Sequence, residues 1–449
     1  MNKKVVILGS GESGTGAALL SKAKGYDTFV SDFGTVSDKF IAELTHADIS
    51  YEQGKHTESI ILAADLIIKS PGIPEKAPIM KLIRSKGIEV ISEIEFAYLH
   101  NKDAKYISIT GSNGKTTTTL LTYHILQKLG YNVGLGGNIG TSLARQVAEG
   151  KKDIYVLELS SFQLDDMHQF KANVAVLLNI TPDHLDRYEY KFENYISSKF
   201  RIIRNMTEAD VFITYMEDSV ISEYIKHNTI HPSYAPISLK ELNKNGAYSD
   251  EESIFISTSL EKIYKFDVTM FPLQGKHNYI NIMSALMAAI SIGADPVESA
   301  ESIKDFKNAP HRLEYVASIN GIRYVNDSKA TNVDSVWYAL DSMKTPVVLI
   351  AGGVDKGNDY SQIEELVRKK VHTVIALGKD NSKVIAGLSG MVSELKEAHS
   401  MMEAITLAHN VAKIGDTVLL SPACASFDLF NNYEDRGTQF RNLVIELSR

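Results

Sequence analysis

The sequence has one cysteine, Cys424, no long apolar run and no excess of basic residues. A single cysteine excludes an internal disulfide and is typical of a reducing cytoplasm, which is the predicted location. No apolar run approaches the roughly 18 residues of a membrane span, so no membrane association is predicted. The formal net charge of −8 argues against general nucleic-acid binding. Anionic ligands would therefore need local cationic sites.

The most informative stretch is residues 110–117, Thr-Gly-Ser-Asn-Gly-Lys-Thr-Thr. A strand predicted over 106–109 leads into it, and a helix predicted over 117–129 follows. Backbone amides and the helix N-terminus would face nucleotide phosphates, with Lys115 supplying a charge and Thr116 a ligand for Mg²⁺. The usual pattern has a glycine where Ile109 stands, so a plain turn capped by Thr110 or Ser112 is the alternative. The stretch predicts ATP binding without saying what the ATP is used for.

Predicted strands alternate with helices along the 449 residues, which indicates parallel sheets with helical crossovers. The predicted fold class is therefore α/β, in three domains. These are a Rossmann-like N-terminal domain at 1–93, a central P-loop-type domain with a mostly parallel sheet at 94–308, and a C-terminal Rossmann-like α/β domain at 309–449. A helix over 93–105 is predicted to lead into the central domain. The other main strands are predicted near 4–8, 27–31, 66–69, 89–91, 154–157, 174–178, 324–326, 347–351, 374–377 and 418–420.

The first domain opens with a glycine-rich turn, residues 9–14, and Asp32 follows about twenty residues later. A nicotinamide oxidoreductase is the obvious inference. The same groups suit a UDP-linked substrate, however, so the pattern indicates a diphosphate ligand better than NAD. A purely structural glycine turn is the alternative. Residues 70–74, Ser-Pro-Gly-Ile-Pro, could line the same crevice or form an ordinary rigid turn.

In the second domain, Glu158 stands among apolar residues after a buried strand. A buried carboxylate is costly unless it meets a cation such as Mg²⁺, although a helix cap or an ion pair is the alternative. The loop at 179–188 crowds ionisable side chains, which favours a metal or phosphate role. By itself Lys199 is typical of an exposed helical lysine, and Asn278 of a helix N-cap.

In the third domain, residues 326–332, 352–357 and 421–428 each follow a predicted strand. They bring Lys329, Lys356 and Ser426 to one sheet edge, which predicts a pocket for a small carboxylate. Arg312, at the start of this domain, could reach phosphates or form an interdomain salt bridge. Cys424 is interpreted as a buried structural thiol.

Together these motifs resemble those of the Mur ligases, the ATP-dependent amino-acid-adding enzymes of peptidoglycan synthesis. The resemblance spans essentially the whole chain, and the third-domain motifs resemble the members that add D-glutamate. It implies that ATP phosphorylates the carboxylate of UDP-N-acetylmuramoyl-L-alanine and that D-glutamate attacks the acyl phosphate. It also implies two Mg²⁺ ions. The three-domain layout predicts closure of the third domain over the second, because ATP and glutamate must meet, and a monomer is predicted. The motifs lie at 110–117, 137–138, 158–163, 183–187, 277–278, 326–332 and 421–426.

The resemblance implies a role for each matching position. The catalytic residues would be Lys115, His184 and Lys199, the last as a carbamylated lysine. ATP would contact Gly111, Ser112, Asn113, Gly114, Lys115, Thr116, Thr117, Asn278, Arg312 and Asp327. The UDP-linked substrate would contact Glu12, Ser13, Asp32, Phe33, Ser70, Gly72 and Asn138. D-Glutamate would contact Lys329, Thr331, Lys356, Ser426 and Tyr433. The metal ligands would be Thr116, Glu158, His184 and Lys199.

Two departures from the family pattern concern ligand contacts. Phe33 and Gly34 stand where the best-known relatives have a threonine and an arginine, so Phe33 is predicted to stack on the uracil instead. Tyr433 replaces a phenylalanine. Three other functions stay open: a sibling ligase such as a folylpolyglutamate synthase, a nicotinamide oxidoreductase built on residues 9–14, and a non-catalytic UDP-sugar sensor. The motif at 326–332 argues against the folylpolyglutamate synthase, and the phosphate loop argues against the oxidoreductase. The non-catalytic sensor is disfavoured by the set Lys115, Glu158, His184 and Lys199.

Overall fold

The computed structural model describes residues 2–242, 245–250, 252–259, 262–355 and 357–448. The chain divides into two compact units. The first comprises Met1–Pro272 and Asn278–Phe306, and the second comprises Leu273–His277 and Lys307–Arg449. Within the described ranges, no helix combines the length and the hydropathy that a membrane span requires.

The first part of the first unit is a parallel sheet with the strand order β3-β2-β1-β4-β5. In its central strand, Val5 and Ile7 pack into one apolar cluster and Val6 and Leu8 into another. The strand is therefore buried on both faces, which is why its sequence is a continuous apolar run. The elements are β1 Lys4–Leu8, α1 Glu12–Ala23, β2 Asp27–Asp32, α2 Asp38–His46, β3 Ser50–Gln53, α3 Glu58–Ile61, β4 Leu66–Lys69, α4 Pro78–Ser85, β5 Val90–Ser92 and α5 Glu93–Leu99.

The rest of the first unit contains a sheet with the order β14-β13-β12-β11-β10-β9-β6-β8-β7. Strands from β7 to β12 pair in parallel, whereas β12, β13 and β14 pair antiparallel. The elements are β6 Lys105–Thr110, α6 Lys115–Lys128, β7 Val133–Gly137, α7 Leu143–Glu149, β8 Ile154–Glu158, α8 Ser161–Asp165, β9 Val174–Leu177, α9 Phe192–Phe200, β10 Val211–Tyr215, α10 Ser219–His227, β11 Ser233–Ser238, β12 Gly246–Ser249, β13 Ser253–Ser259, β14 Lys262–Asp267, α11 Lys276–Ser291 and α12 Pro296–Ser302. Because β6 lies between β8 and β9, the loops that follow these three strands meet at one edge of the sheet.

The second unit is built on a sheet with the order β15-β16-β20-β17-β18-β19. Its strands pair in parallel except β15, which pairs antiparallel with β16. The elements are β15 Glu314–Ile319, β16 Ile322–Asn326, α13 Val333–Ser342, β17 Val347–Gly352, α14 Glu364–Lys370, β18 Val371–Leu377, α15 Ser382–Leu388, β19 Glu394–Ala398, α16 Met401–Val411, β20 Thr417–Ala423 and α17 Tyr433–Leu447. The neighbours β16, β20 and β17 bring the loops at 326–332 and 421–428 and the segment 352–355 to one edge, as predicted.

Within the first unit, α1 and α5 pack against the N-terminal end of α7. The buried carboxylate of Glu93 accepts hydrogen bonds at Oε1 from Ser142 Oγ at 2.8 Å and from Ala144 N at 2.5 Å. A Cβ on Gly16 would lie 2.1 Å from Ser142 Oγ, so only glycine allows this approach. We call these residues, Gly16, Glu93, Ser142 and Ala144, the α1–α7 junction.

The predicted α/β fold class is confirmed, whereas some elements differ from prediction. The helix predicted over 93–105 ends at Leu99, and β6 begins at Lys105. Strands β3, β7, β10, β15 and β19 were not predicted. All of them except β10 lie at sheet edges, and in β3, β15 and β19 polar side chains replace the apolar runs of central strands. The domain boundaries expected after residues 93 and 308 stay predictions.

Candidate active site

The glycine-rich loop joins β6 to α6, as predicted. Gly114 precedes the helix with φ +82°, and a Cβ there would lie 2.5 Å from Asn281 Oδ1. Glycine is therefore required for both backbone conformation and space. The Lys115 Nζ donates hydrogen bonds to the carbonyl oxygens of Gly111 and Ser112, at 2.8 Å each. The loop thus places a helix N-terminus beside a lysine, an arrangement that binds nucleotide phosphates.

Residues 179–181, which follow β9, hold this loop in place. Asn179 accepts at Oδ1 from Asn113 N at 2.8 Å and donates from Nδ2 to Asn113 O at 3.1 Å. Ser112 Oγ donates to Thr181 O at 2.8 Å and accepts from Thr181 N at 2.9 Å. Helix α6 has no side-chain cap, so the alternative of a plain turn capped by Thr110 or Ser112 is wrong.

Lys199 lies on α9 with its side chain buried, which contradicts the exposed helical lysine that the local sequence suggested. Its Nζ donates to Gly111 O at 2.8 Å and lies 4.7 Å from the centroid of the Tyr195 ring. Burial, followed by the positive charge of Lys115, lowers the pKa of Lys199 well below its usual range. The amine is therefore held beside the phosphate loop under conditions that favour its neutral, nucleophilic form.

Glu158 ends β8 and is only 1% exposed. Its Oε1 accepts a hydrogen bond from Asn138 Nδ2 at 2.7 Å, whereas its Oε2 is buried without a hydrogen-bond partner among the described residues. The following helix is capped by Ser160, so the alternative of a capping glutamate is wrong. A buried carboxylate oxygen in this state is costly unless a cation binds it.

His184 lies in the loop that follows β9, with a left-handed backbone at φ +53°. Its ring packs edge-on against Phe162, with the centroids 5.3 Å apart. The guanidinium carbon of Arg187 lies 4.3 Å from the centroid of the same Phe162 ring. Arg187 also donates to Pro71 O at 3.3 Å and to Gly72 O at 3.4 Å. This loop therefore connects the phosphate-loop edge with the loop that follows β4.

The predicted metal ligands differ in their chemical groups. They are Thr116, Glu158, His184 and Lys199. In the described part of the chain, no group of three or more His, Cys, Asp or Glu side chains could hold a metal ion. A set built from a hydroxyl, one carboxylate, one imidazole and a modified lysine would not form such a group. The unpartnered Oε2 of Glu158 is the feature that fits a divalent cation, which prefers oxygen ligands.

At the edge of the first sheet, Asp32 is held by three hydrogen bonds. The N–H and the hydroxyl of Ser10 donate to its Oδ2 at 2.7 Å each, and Gly34 N donates to its Oδ1 at 2.8 Å. Burial raises the pKa of Asp32, but these hydrogen bonds outweigh it and hold the pKa below its usual value. Phe33 is 71% exposed, so its ring face is accessible to a ligand.

The other residues predicted to contact the UDP-linked substrate lie around the same edge. A Cβ on Gly9 would lie 2.5 Å from Ser70 Oγ, so the glycine turn and the loop after β4 are in close approach. Ser13 lies in the first turn of α1. The carboxylate of Glu12 accepts a hydrogen bond from Arg145 Nε at 2.9 Å. Glu12 therefore forms an ion pair with Arg145 of α7, and the contact of Glu12 with the substrate stays a prediction.

In the second unit, Asp327 follows β16 and is buried. Ser421 Oγ donates to its Oδ2 at 3.0 Å, and Leu313 N donates to its Oδ1 at 3.2 Å. Burial raises the pKa of Asp327 to about 7. The ends of β16 and β20 are thus joined through this carboxylate.

Arg436 lies on α17 and is only 1% exposed. It donates from Nε to Ser328 Oγ at 3.0 Å, from one terminal nitrogen to Ser328 O at 2.8 Å, and from the other to Cys424 O at 3.1 Å. Burial lowers its pKa to about 10. Arg436 therefore fastens the loop at 326–332 to the loop at 421–428, and Cys424 is the buried thiol that was predicted.

The predicted D-glutamate residues gather at this edge of the second unit. The Lys329 Nζ lies 3.6 Å from the centroid of the Tyr433 ring. Ser426, in the loop at 421–428, is buried. Thr331 lies between β16 and α13 and is partly exposed. Lys356 lies outside the described residues.

The remaining predicted ATP contacts are Asn278, Arg312 and Asp327. Asn278 is buried within α11, which begins at Lys276, so the alternative of a helix N-cap is wrong. Asn281 Nδ2 donates to Asn278 Oδ1 at 3.3 Å. Arg312 and Asp327 belong to the second unit, and their contacts with ATP stay predictions.

Sequence reasoning missed the roles of Asn179 and Arg436. Asn179 directly follows the predicted strand at 174–178, and this position is the only sequence signal of its role, because the ionisable residues that come after it indicate a site more strongly. Arg436 stands in a charged run, Glu434-Asp435-Arg436, which is typical of a solvated helix face. Nothing in that pattern indicates a buried guanidinium.

Three family models match the chain. They are described as a MurD-like N-terminal domain of Mur ligases at residues 3–92, a Mur ligase middle domain at 109–289 and a Mur ligase glutamate ligase domain at 311–424. Two similar proteins are both named UDP-N-acetylmuramoylalanine–D-glutamate ligase. The one from Cytophaga hutchinsonii is 73% identical over 449 residues, covering 100% of both chains. The one from Porphyromonas gingivalis is 52% identical over 444 residues, covering 99% of this chain and 98% of its own.

Solved structures show the same fold at low sequence identity. A pseudomurein peptide ligase type C from Methanothermus fervidus aligns with a TM-score of 0.64 and 19% identity, covering 99% of this chain and 100% of its own. The MurC ligase of Thermotoga maritima aligns with a TM-score of 0.63 and 17% identity, covering 99% of each chain. The MurF ligase of Thermotoga maritima, solved with ADP, aligns with a TM-score of 0.60 and 15% identity over 94% of this chain and 95% of its own.

Proposed function

The chain belongs to the Mur ligase family, and we propose that it is the ATP-dependent enzyme that joins D-glutamate to UDP-N-acetylmuramoyl-L-alanine in peptidoglycan precursor synthesis. The observation that carries the proposal is the 73% identity, over the full length of both chains, to a relative named for that activity. A folylpolyglutamate synthase, an oxidoreductase and a non-catalytic sensor lack such support.

The chemistry requires an activated carboxylate, because a free carboxylate is a poor electrophile. The terminal phosphoryl group of ATP passes to the carboxylate of the UDP-linked substrate and forms an acyl phosphate. The amine of D-glutamate then attacks the acyl carbon, a C–N bond forms, and the C–O bond to phosphate breaks. The helix N-terminus and Lys115 would hold the phosphates in line with the carboxylate, which makes positioning the main contribution of the loop.

The residues present fit bound Mg²⁺. Thr116, Glu158, His184 and Lys199 would hold two ions, and the unpartnered Oε2 of Glu158 supports this assignment. Bound Mg²⁺ would neutralise the negative charge that gathers where phosphates approach a carboxylate. Asn138 would orient Glu158, because its amide donates to the other oxygen of that carboxylate.

We further propose that Lys199 is carbamylated. The neutral amine would add to CO₂, forming a C–N bond and releasing a proton to solvent. The product is an anionic oxygen ligand at a position where the unmodified side chain offers only an amine nitrogen. The lowered pKa of Lys199 supports the reaction, since only the neutral amine can attack CO₂.

D-Glutamate would bind at the edge of the second unit. Lys329 supplies a cation for a carboxylate, and Ser426, Thr331 and Tyr433 supply hydroxyl groups. Arg436 would act on this site indirectly, by holding the two loops that carry these residues. The role predicted for Lys356, the cytoplasmic location and the monomeric state stay predictions.

The test is phosphate release from ATP, measured with both substrates, with each one alone and with neither. We expect release only when UDP-N-acetylmuramoyl-L-alanine and D-glutamate are both present, together with a product heavier by one glutamate residue. L-Glutamate in place of D-glutamate is the matched control. Phosphate release that ignores both substrates, or a spectral change of NADH on addition of protein, would contradict the proposal.

A further inference from the structure

A cluster of polar side chains lies where β2 and β3 end, next to Asp32. Ser31 pairs with Glu52 across the two strands. Ser31 Oγ lies 2.7 Å from Glu52 Oε1 and 2.7 Å from His56 Nδ1. The ring of His56 packs against the exposed ring of Phe33, with the centroids 5.7 Å apart. In a Rossmann-like sheet this edge faces the nucleoside part of a bound dinucleotide or UDP-linked ligand.

The hydrogen bonds fix which nitrogen of His56 carries the proton. Thr57 donates to both oxygens of Glu52, from its N–H at 2.8 Å and from its hydroxyl at 2.5 Å. Burial raises the pKa of Glu52, but the hydrogen bonds from Thr57 and Ser31 outweigh it and leave the carboxylate ionised. An ionised carboxylate only accepts, so the single hydroxyl proton of Ser31 goes to Glu52. Nδ1 of His56 must therefore donate to Ser31 Oγ.

A neutral histidine with its proton on Nδ1 has an acceptor at Nε2. Burial lowers the pKa of His56, and the nearby Glu52 and Asp32 only partly oppose this. The ring is consequently neutral at neutral pH. Nε2 has no hydrogen-bond partner in the part of the chain that the structure describes.

We propose that His56 selects uracil by accepting a hydrogen bond at Nε2 from the imide N3–H of the base, beside the exposed ring of Phe33. Uracil carries a proton at N3, whereas cytosine carries a lone pair there. An acceptor at this place therefore attracts uracil and repels cytosine. The inference rests on the proposed function, because it assigns a specificity-determining residue to the UDP-linked substrate of that same enzyme.

The test is titration calorimetry of the full-length protein with UDP and with CDP. We expect the wild type to prefer UDP, and His56→Phe to lose about tenfold in UDP affinity while CDP affinity stays the same or rises. His56→Gln keeps an acceptor oxygen and should retain most of the preference. The matched control is His46→Phe, at an exposed position in the same domain, which should behave as the wild type.

A second measurement reads the tautomer directly. In protein labelled with ¹⁵N in its histidine rings, we expect the signals of His56 to show a protonated Nδ1 and an unprotonated Nε2, and Ser31→Ala to weaken this bias. A proton on Nε2 in the wild type would overturn the proposal, as would an unchanged UDP-to-CDP ratio in folded His56→Phe.

Failure of this inference can be told apart from failure of the proposed function. If the ligation assay succeeds while His56→Phe keeps the UDP preference, only the role of His56 is refuted. If ligation fails while the preference for UDP depends on His56, only the ligase activity is refuted.

Discussion

At the scale of single residues, the properties of Lys199 depend on its buried surroundings. It is a buried amine with a lowered pKa, and its Nζ donates a hydrogen bond to Gly111 O of the phosphate loop. We expect Lys199→Ala to lower kcat by about a hundredfold or more, because the charge stabilisation at the reacting phosphate would be lost. ATP should still bind, since the helix N-terminus and Lys115 remain. Steady-state kinetics and nucleotide titration check both expectations.

Lys191→Ala is the matched control, because Lys191 precedes the same helix but is exposed. It should leave kcat unchanged. The modification itself is visible as a carbamate ¹³C signal after incubation with labelled bicarbonate, and this signal should be absent from Lys199→Ala. A Lys199→Ala enzyme of near-normal activity would refute the assigned role.

At the scale of structural elements, the phosphate loop depends on the segment that follows β9. Asn179 bonds both the N–H and the carbonyl of Asn113, much as a neighbouring strand would. We expect Asn179→Ala to raise KM for ATP by roughly tenfold, because the loop would lose two hydrogen bonds that set its geometry. Initial rates at varied ATP concentration measure this.

Asn179→Asp distinguishes a change in the geometry of the phosphate loop from a general loss of protein stability. It keeps the acceptor for Asn113 N but sets a carboxylate oxygen against Asn113 O and a negative charge beside the ATP phosphates, so its KM should be at least as high as that of Asn179→Ala. The thermal unfolding midpoint should be nearly the same for both variants. An unchanged KM in Asn179→Ala would mean that the loop holds its shape without this contact.

The accuracy of the predictions made from the sequence differs from one structural element to another. Most central strands were predicted within a few residues, because strands buried on both faces are continuous apolar runs, although the central strand β10 was missed. Edge strands such as β19 were missed, since their polar composition carries no such signal. The phosphate loop was predicted from its glycines and its lysine. The burial of Lys199 and Arg436 was not, because each lies in a locally polar helix whose surroundings are contributed by distant segments.

At the scale of the whole molecule, the α1–α7 junction makes stability depend on pH. Burial, only partly offset by hydrogen bonds from Ala144 and Ser142, raises the pKa of Glu93 to about 7. The folded chain therefore keeps a proton that the unfolded chain releases at lower pH. This contribution is fully present below about pH 4.5 and is lost as the pH rises through about 7, a change of roughly 3 kcal/mol in the free energy of unfolding.

Glu93→Gln should remove this dependence, because its neutral amide does not titrate. We expect the unfolding midpoint in urea to fall between pH 5 and pH 8 by less in Glu93→Gln than in the wild type. Glu89→Gln, at an exposed position before β5, should keep the dependence of the wild type. Equal pH dependence in the wild type and Glu93→Gln would show that the carboxyl group ionises freely.

The α1–α7 junction also limits how such chains can be recombined. Gly16 and Ser142 approach so closely that a Cβ added to Gly16 would collide with the side chain of Ser142. A chimera that takes its first ninety residues from one parent and the rest from another would inherit two surfaces that were shaped separately. Parents with alanine in place of Gly16, or without a small residue in place of Ser142, would therefore give hybrids that fold poorly. In this architecture the first domain is exchangeable only together with α7.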